Sequence, residues 1–248
     1  MKKILCLMLA AVLCFAVCGC SGGGDKLVIG ITIYEPMNYE DENGELTGFD
    51  TEFARAVCEK LGMEPEFVVI DWDNKFLELD SESIDCIWNG MTITDEVRNN
   101  ASVSKPYVKN AQVVVMDEAR AGEISSVDDL KGLKLAAEAG SAGEKAIMES
   151  GLDEGYVACT AQSDALLEVK SGSADACVID ITMANSMTGE GTSYAELAPS
   201  IELTTEEYGI AFRKDSELTE KVNAIMDELK ADGTLDALAE KYNLTLAF

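Results

Sequence analysis

The sequence predicts an α/β fold built from two similar units, and three observations carry that reading. Short β-branched apolar runs alternate with stretches of helical periodicity, the pattern of a largely parallel sheet covered by helices. The alternation starts afresh near residue 133. A stretch in each half also shares its local spacing. Phe76–Gly90 reads FLELDSESIDCIWNG and Leu166–Asp180 reads LLEVKSGSADACVID. Leu77, Glu78, Ser81, Ser83 and Asp85 match Leu167, Glu168, Ser171, Ser173 and Asp175, each set describing a helix, a polar turn and a buried strand. A chain of 248 residues suits one large domain or two lobes, and either can bury a core.

In the first unit Leu27–Ile33 is a strand by its β-branched apolar run. Phe49–Leu61 is a helix, with Phe53, Val57 and Leu61 on one face and Gly62 as its stop. Glu66–Ile70 is a second strand, Phe76–Leu79 a helical turn and Ile84–Trp88 a third strand. In the second unit Leu133–Ala137 is a strand that leads through Gly140-Ser141-Ala142-Gly143 into a helix over Glu144–Glu149. Ala165–Lys170 is helical and Ala176–Ile179 is a strand. The extended runs Gln112–Met116 and Tyr208–Phe212 read as paired hinge strands between the units. The tail from Glu217 to Tyr242 is helical, divided at Gly233.

Ahead of the first unit, Lys2 and Lys3 precede an apolar run from Ile4 to Val17. The run is shorter than the ~20 residues of a membrane span and has the layout of a secretory signal. Val17-Cys18-Gly19-Cys20-Ser21 resembles a bacterial lipobox. Cys20 is the better lipidation point, because Val17 is a poor residue at the cleavage position that Cys18 would need. Residues 1–19 are then a lipoprotein signal, and residues 20–26 a lipidated cysteine with a flexible Gly-rich tether. A secretory signal without lipid is the alternative. Export permits disulfides, yet Cys58, Cys86, Cys159 and Cys177 read as four free thiols, since Cys86 and Cys177 fall inside apolar runs.

The formal charge of −27 argues against nucleic acid or an anionic lipid surface as a partner. The absence of histidine excludes Ser-His-Asp and Cys-His nucleophile pairs and histidine-based zinc sites, and no cofactor or metal is implied. Carboxylate, lysine and tyrosine chemistry remain. Ligands of open α/β sheets bind beyond the carboxyl ends of the strands. Those ends are Trp88-Asn89-Gly90 in one unit and Ile179-Asp180 in the other, so a cleft between the units is the expected small-molecule site.

Gly48-Phe49-Asp50-Thr51-Glu52-Phe53, continuing through Ala56-Val57-Cys58 to Leu61, resembles the signature of the family 3 extracellular solute-binding proteins, which serve polar amino-acid ABC transporters. Tyr34-Glu35-Pro36, Trp72-Asp73, Gly90 to Glu96, Pro106-Tyr107, Gly140-Ser141, Ala174 to Asp180 and Met226 to Tyr242 follow in the family's order. The resemblance implies a two-lobed type II periplasmic-binding-protein clamshell with two hinge strands. Residues 27–111 and 206–248 would form the first lobe and residues 112–205 the second. It further implies a monomeric amino-acid receptor on the outer face of the membrane, handing its ligand to the permease subunits of an ABC importer.

By the same resemblance Asp180 pairs with the ligand ammonium, helped by a carbonyl near Asn89-Gly90 and by the Thr92 hydroxyl. Ser141 and Ala142, at a helix start, receive the carboxylate. Tyr34 and Trp72 form aromatic walls, while Trp88 is open between wall and core. Glu138 stands where side-chain selection occurs. The family's carboxylate-clamping arginine falls at Val97, so Arg98 is the candidate replacement. Asp50 and Glu52 are read as structural rather than catalytic. Two other functions remain: a cyclohexadienyl-dehydratase-like enzyme, which here needs Glu138 or a lysine of shifted pKa, and a sensory ligand-binding protein.

Overall fold

The computed structural model describes residues 25–248. The expected signal over residues 1–19, the expected lipidation point Cys20 and the Gly22–Gly24 stretch expected to act as a tether lie outside the described residues. The chain runs β1 (Lys26–Ile31), β2 (Tyr39–Glu40), β3 (Leu46–Thr47), α1 (Phe49–Leu61), β4 (Glu64–Val69), α2 (Lys75–Asp80), β5 (Cys86–Thr92), α3 (Asp95–Asn100), β6 (Ser102–Val103), β7 (Val108–Asn110) and β8 (Gln112–Asp117). It continues through α4 (Glu118–Ala121), β9 (Leu135–Glu138), α5 (Ala142–Glu149), β10 (Val157–Cys159), α6 (Gln162–Lys170), β11 (Ala176–Asp180) and α7 (Ile181–Met187). It ends with β12 (Leu197–Glu202), β13 (Glu206–Phe212), α8 (Leu218–Ala231) and α9 (Thr234–Lys241). None of the described helices is long and apolar enough to cross a membrane.

Two sheets carry the fold. One has the order β4-β1-β5-β13-β6, with β7 also on β13; the other has the order β10-β9-β11-β8-β12. In each, three parallel strands meet one antiparallel strand: β13, which returns late in the chain, in the first sheet, and β8, which precedes the other strands of its sheet, in the second. The two extended runs expected to pair as a hinge do not pair with each other. β8 lies between β11 and β12, and β13 lies between β5 and β6. The crossings are the short segments just before them, around Asn110–Gln112 and Leu203–Glu206. There Gln112 N–H donates to Thr204 Oγ1 at 3.0 Å and Leu203 N–H to the Gln112 carbonyl at 2.8 Å. Isolated extended segments signal strand character, but their partners are fixed only by which sheet has an open antiparallel place.

The internal likeness extends to side-chain bonding. Ser81 and Ser83 hydroxyls lie 3.0 Å apart, and Ser171 and Ser173 hydroxyls 2.9 Å apart. Ser81 donates to the Glu78 carbonyl and Ser171 to the Glu168 carbonyl. Asp85 accepts the Val28 N–H at 2.9 Å, and Asp175 accepts the Lys134 N–H at 3.0 Å. Each aspartate also meets an arginine, Arg213 for Asp85 and Arg120 for Asp175. The shared Ser-x-Ser-x-Asp spacing thus closes the turn before a buried strand and ties it to the neighbouring strand in both halves.

Helix α1 explains how the first sheet is covered. Phe49, Phe53 and Val57 recur at helical spacing and are fully buried. Phe53 meets Trp88 edge-on at 4.9 Å between centroids and Tyr107 at 5.6 Å. Burying such a side chain contributes roughly 2–3 kcal/mol. Trp88 is therefore core, not a pocket wall. Gly62 ends the helix in the left-handed conformation, as a glycine readily does. The four described cysteines are free and buried.

Candidate functional site

β5 does not stop at Trp88 but continues to Thr92, with a register shift opposite Gly209 to Ala211. Gly90 sits there at φ +56, and a side chain on it would come within 2.6 Å of the Tyr34 ring. The kink is held from behind. Asp50 accepts the Gly90 N–H at 2.6 Å and the Tyr107 hydroxyl at 2.8 Å. Asn38 donates to Asn89 Oδ1 at 2.7 Å, and Asn89 donates to Thr32 at 2.6 Å. Burial pushes the Asp50 carboxyl up to about 7 against the pull of the Gly90 N–H. Glu52 instead reaches outward to Lys241 and Tyr242. Both carboxylates thus shape and pin the lobe, the structural part that the resemblance implied for them.

Between the lobes lies a cavity of about 270 Å³. Trp72, Asn89, Gly90, Thr92, Glu138, Ser141, Ala142 and Asp180 all line it, and the sequence singled out each of them. Two expected residues do not. Tyr34 is buried beside the cleft rather than in its wall; its hydroxyl is bonded to Thr182 and, at 2.6 Å, to Tyr208, which ties the two lobes together. Arg98 is exposed on α3, and its own carbonyl accepts Lys214. The reason is helical phase. Thr94 caps α3, Val97 faces inward and lines the cavity, and the next residue is turned about 100° away.

Asp180 sits at the end of β11 with amide donors on both oxygens. Asn110 and, at 2.8 Å, Gln112 donate to Oδ1, and Gln162 donates to Oδ2. Gln162 also accepts the Asp180 N–H at 2.9 Å. Asn110 and Gln112 donate to Glu206 Oε1 as well, at 2.8 and 2.5 Å, so two amides link two carboxylates at the chain crossings. Burial, and then the neighbouring Glu206 charge, hold the Asp180 carboxyl above the ordinary range. Glu138, at the end of β9, is 3% exposed, and its Oε1 has no hydrogen-bond partner among the described residues. Burial and then Asp180 push Glu138 up to about 8, with Lys75 pulling the other way.

The start of α5 is partly self-capped. Ser141 Oγ accepts the Glu144 N–H at 3.2 Å, and Glu144 accepts the Gly140 N–H at 2.7 Å. The Ser141 hydroxyl is therefore a cap, and the first-turn N–H groups beginning at Ala142 are the donors left for an anion. Sequence reasoning missed Lys75, Gln162 and Glu206. Each falls just ahead of the run read for it (Phe76–Leu79, Ala165–Lys170 and Tyr208–Phe212), in the residues where the observed element begins, and a polar side chain there signals nothing until the topology places it.

Lys75 also spans the cleft mouth, donating to the Trp72 carbonyl at 3.2 Å and, across the lobes, to the Gly140 carbonyl at 2.8 Å. Gly140, at φ +68, presses on Asp73, whose Cα lies 3.0 Å from where its side chain would begin. A Gly140→Ala variant meets that backbone only when the lobes are together. An overlap worth about 1–3 kcal/mol weakens ligand binding about tenfold, while the left-handed strain of an alanine at φ +68 is present in open and closed forms alike and shows only in the melting curve. Calorimetric titration beside a melting curve checks this; unchanged affinity would show that the lobes close without this contact.

Residues 27–245 match the bacterial extracellular solute-binding proteins, family 3. The chain belongs to this family. The arginine-binding extracellular protein ArtP of Bacillus subtilis (strain 168) is 32% identical to it, over 98% of each chain. The L-cystine-binding protein TcyJ of Escherichia coli (strain K12) is 30% identical over 87% of this chain and 82% of its own. An ancestral arginine-binding protein bound to arginine superposes with a TM-score of 0.79 at 36% identity, covering 88% of this chain and 97% of that one. AncCDT-1, an ancestral amino acid-binding protein described as a precursor of cyclohexadienyl dehydratase, gives 0.79 at 34% identity over 88% and 95%. The two-lobed type II fold read from the sequence is that of these family 3 solute-binding proteins.

Proposed function

We propose that this family 3 solute-binding protein captures a cationic amino acid between its lobes and passes it to the permease of an ABC importer. The observation that carries the reading is Glu138. A buried carboxylate with an unpartnered oxygen, opening on the cavity beside Asp180, is costly until a cationic donor meets it. Asp180 takes the α-ammonium, Glu138 takes the side-chain cation, and Trp72 with the Asn89–Thr92 strand end walls the site. Residues 27–111 with 206–248 and residues 112–205 act as the two lobes. The protein works as a monomer outside the cell, held to the membrane by lipid on Cys20 after removal of residues 1–19.

Thermal shift of the purified protein against the twenty amino acids and cystine tests this. At 100-fold excess over Kd, binding to the native state adds ~2.7 kcal/mol and raises the melting point visibly. A rise with arginine, lysine or histidine is expected. A rise confined to neutral or acidic amino acids, or none at all, would overturn it. The raised Glu138 pKa beside a buried Lys75 also favours a second reading, acid-base elimination of the dehydratase kind. The names of ArtP and TcyJ support capture instead, and incubation with arogenate or prephenate is expected to give no turnover.

A further inference from the structure

The cleft holds two cations among the acids Glu96, Glu138, Glu144 and Asp180, and the missing arginine does not explain them. Lys75 and Lys145 are the two cations lining the cavity among the described residues. Lys145 is 43% exposed and leans toward Glu149 at 3.8 Å along its own helix. Lys75 is different: it is 5% exposed, and no carboxylate among the described residues lies within ion-pair distance of it. Its ammonium is steered by two carbonyls, Trp72 and Gly140, which use two of its three N–H donors. The second of these carbonyls immediately precedes Ser141 and the first turn of α5. The third Lys75 donor and the free N–H at Ala142 therefore belong to one small region of the wall of the cavity that Asp180 also lines.

We infer that Lys75 is the carboxylate anchor of this binding protein, taking the place of an arginine at position 97 and binding the ligand α-carboxylate together with the α5 N-terminus. The inference rests on the capture reading above. A buried ammonium without an anion is expensive, and a zwitterion entering with its ammonium toward Asp180 brings that anion. Because the same Nζ bonds Gly140 of the opposite lobe, the carboxylate is gripped only where the lobes meet. Lys75 lies on α2, in the first lobe, whereas an anchor at position 97 would approach from α3.

Calorimetric titration with three pairs of compounds tests it: L-arginine and agmatine, L-lysine and cadaverine, L-histidine and histamine. Each amine is the amino acid without its carboxylate. Wild type is expected to bind at least one amino acid about 30-fold more tightly than its amine, the size of effect seen when a buried charge loses its partner. Lys75→Met should lower that amino acid's affinity by a similar factor and leave the amine's within about threefold. Lys75→Gln keeps a donor for the Gly140 carbonyl but not the charge, so it should behave like Lys75→Met, and it carries the test should Lys75→Met not fold. Equal losses for both members of a pair would make Lys75 a latch alone and overturn the assignment, while leaving capture intact. Equal wild-type affinity for acid and amine would overturn it too. Binding of none of the six compounds would bring down the capture reading together with it.

Discussion

Replacing Asp180 by asparagine should abolish capture, lowering affinity for the amino acid that wild type binds by ~100-fold or more. Losing the charged partner of a buried ammonium costs 2–5 kcal/mol or more. The substitution keeps the shape of the side chain, so the unliganded protein should melt within a few degrees of wild type. Removing a charge held beside Glu206 by burial relieves part of its cost. Three amides converge on Asp180, from Asn110 and Gln112 at one chain crossing and Gln162 on α6, and none supplies a full positive charge. The ligand ammonium is the one full positive charge that this carboxylate would meet. Titration calorimetry with wild type and variant decides it. Affinity within threefold of wild type would place the ammonium elsewhere.

Affinity for a cationic amino acid should rise steeply with pH, by about tenfold per unit for each of the two carboxylates still protonated, and level off above the Glu138 value of about 8. Glu138 faces Asp180, Lys75, Asp164 and Asp71; burial is its largest influence and the Asp180 charge the next, both favouring the protonated acid. Asp180 is raised likewise by burial and Glu206. Below their raised pKa values these groups hold protons that a cation must displace, so binding near pH 7 releases protons. Titrations in two buffers of different ionisation enthalpy should differ in apparent heat accordingly. The unliganded protein should move the other way. Acids whose folded pKa lies above the unfolded value stabilise the fold fully below the unfolded pKa and lose that contribution as pH rises through the folded one. Asp50, Asp180 and Glu138 should together lower the apo melting point between about pH 4 and 8. A pH-independent affinity across 6 to 8 would mean that these carboxylates are ionised before the ligand arrives.

Much of the fold was legible because local patterns suffice for it. The α1 face of Phe53 and Val57, the Gly62 stop and the Gly233 division of the tail follow from spacing and backbone preference alone. So did the repeated Ser-x-Ser-x-Asp turn, whose bonding proves the same in both halves. Strand partnership was not legible: β8 and β13 both read as extended runs, and only the assembled sheets show that they pair with β11 and β5 rather than with each other. Eight of ten expected cleft residues line the cavity because they sit at strand ends and helix starts, which topology brings to one edge. Tyr34 turned inward to a hydroxyl network, and Arg98 turned outward by one step of a short helix. Both outcomes depend on side-chain direction, which one sequence does not give. Lys75 went unread because nothing about a lysine at the start of a six-residue helix tells of the carbonyl it reaches 65 positions later.

The late return of β13 to the first sheet also sets an order in time. β8 to β12 form a contiguous stretch, so everything the second sheet needs has been made once residue 202 appears. The first sheet cannot be finished then: β5 and β6 wait for β13, more than a hundred residues after they were made. Until it arrives, apolar β5 keeps an open edge exposed, the kind of surface on which unfinished chains stick to one another. The late strand makes assembly of the first lobe the slow step, since the whole second sheet separates β6 from β13 along the chain. A truncated product ending near residue 205 should therefore contain a folded second lobe and an unfinished, aggregation-prone first one.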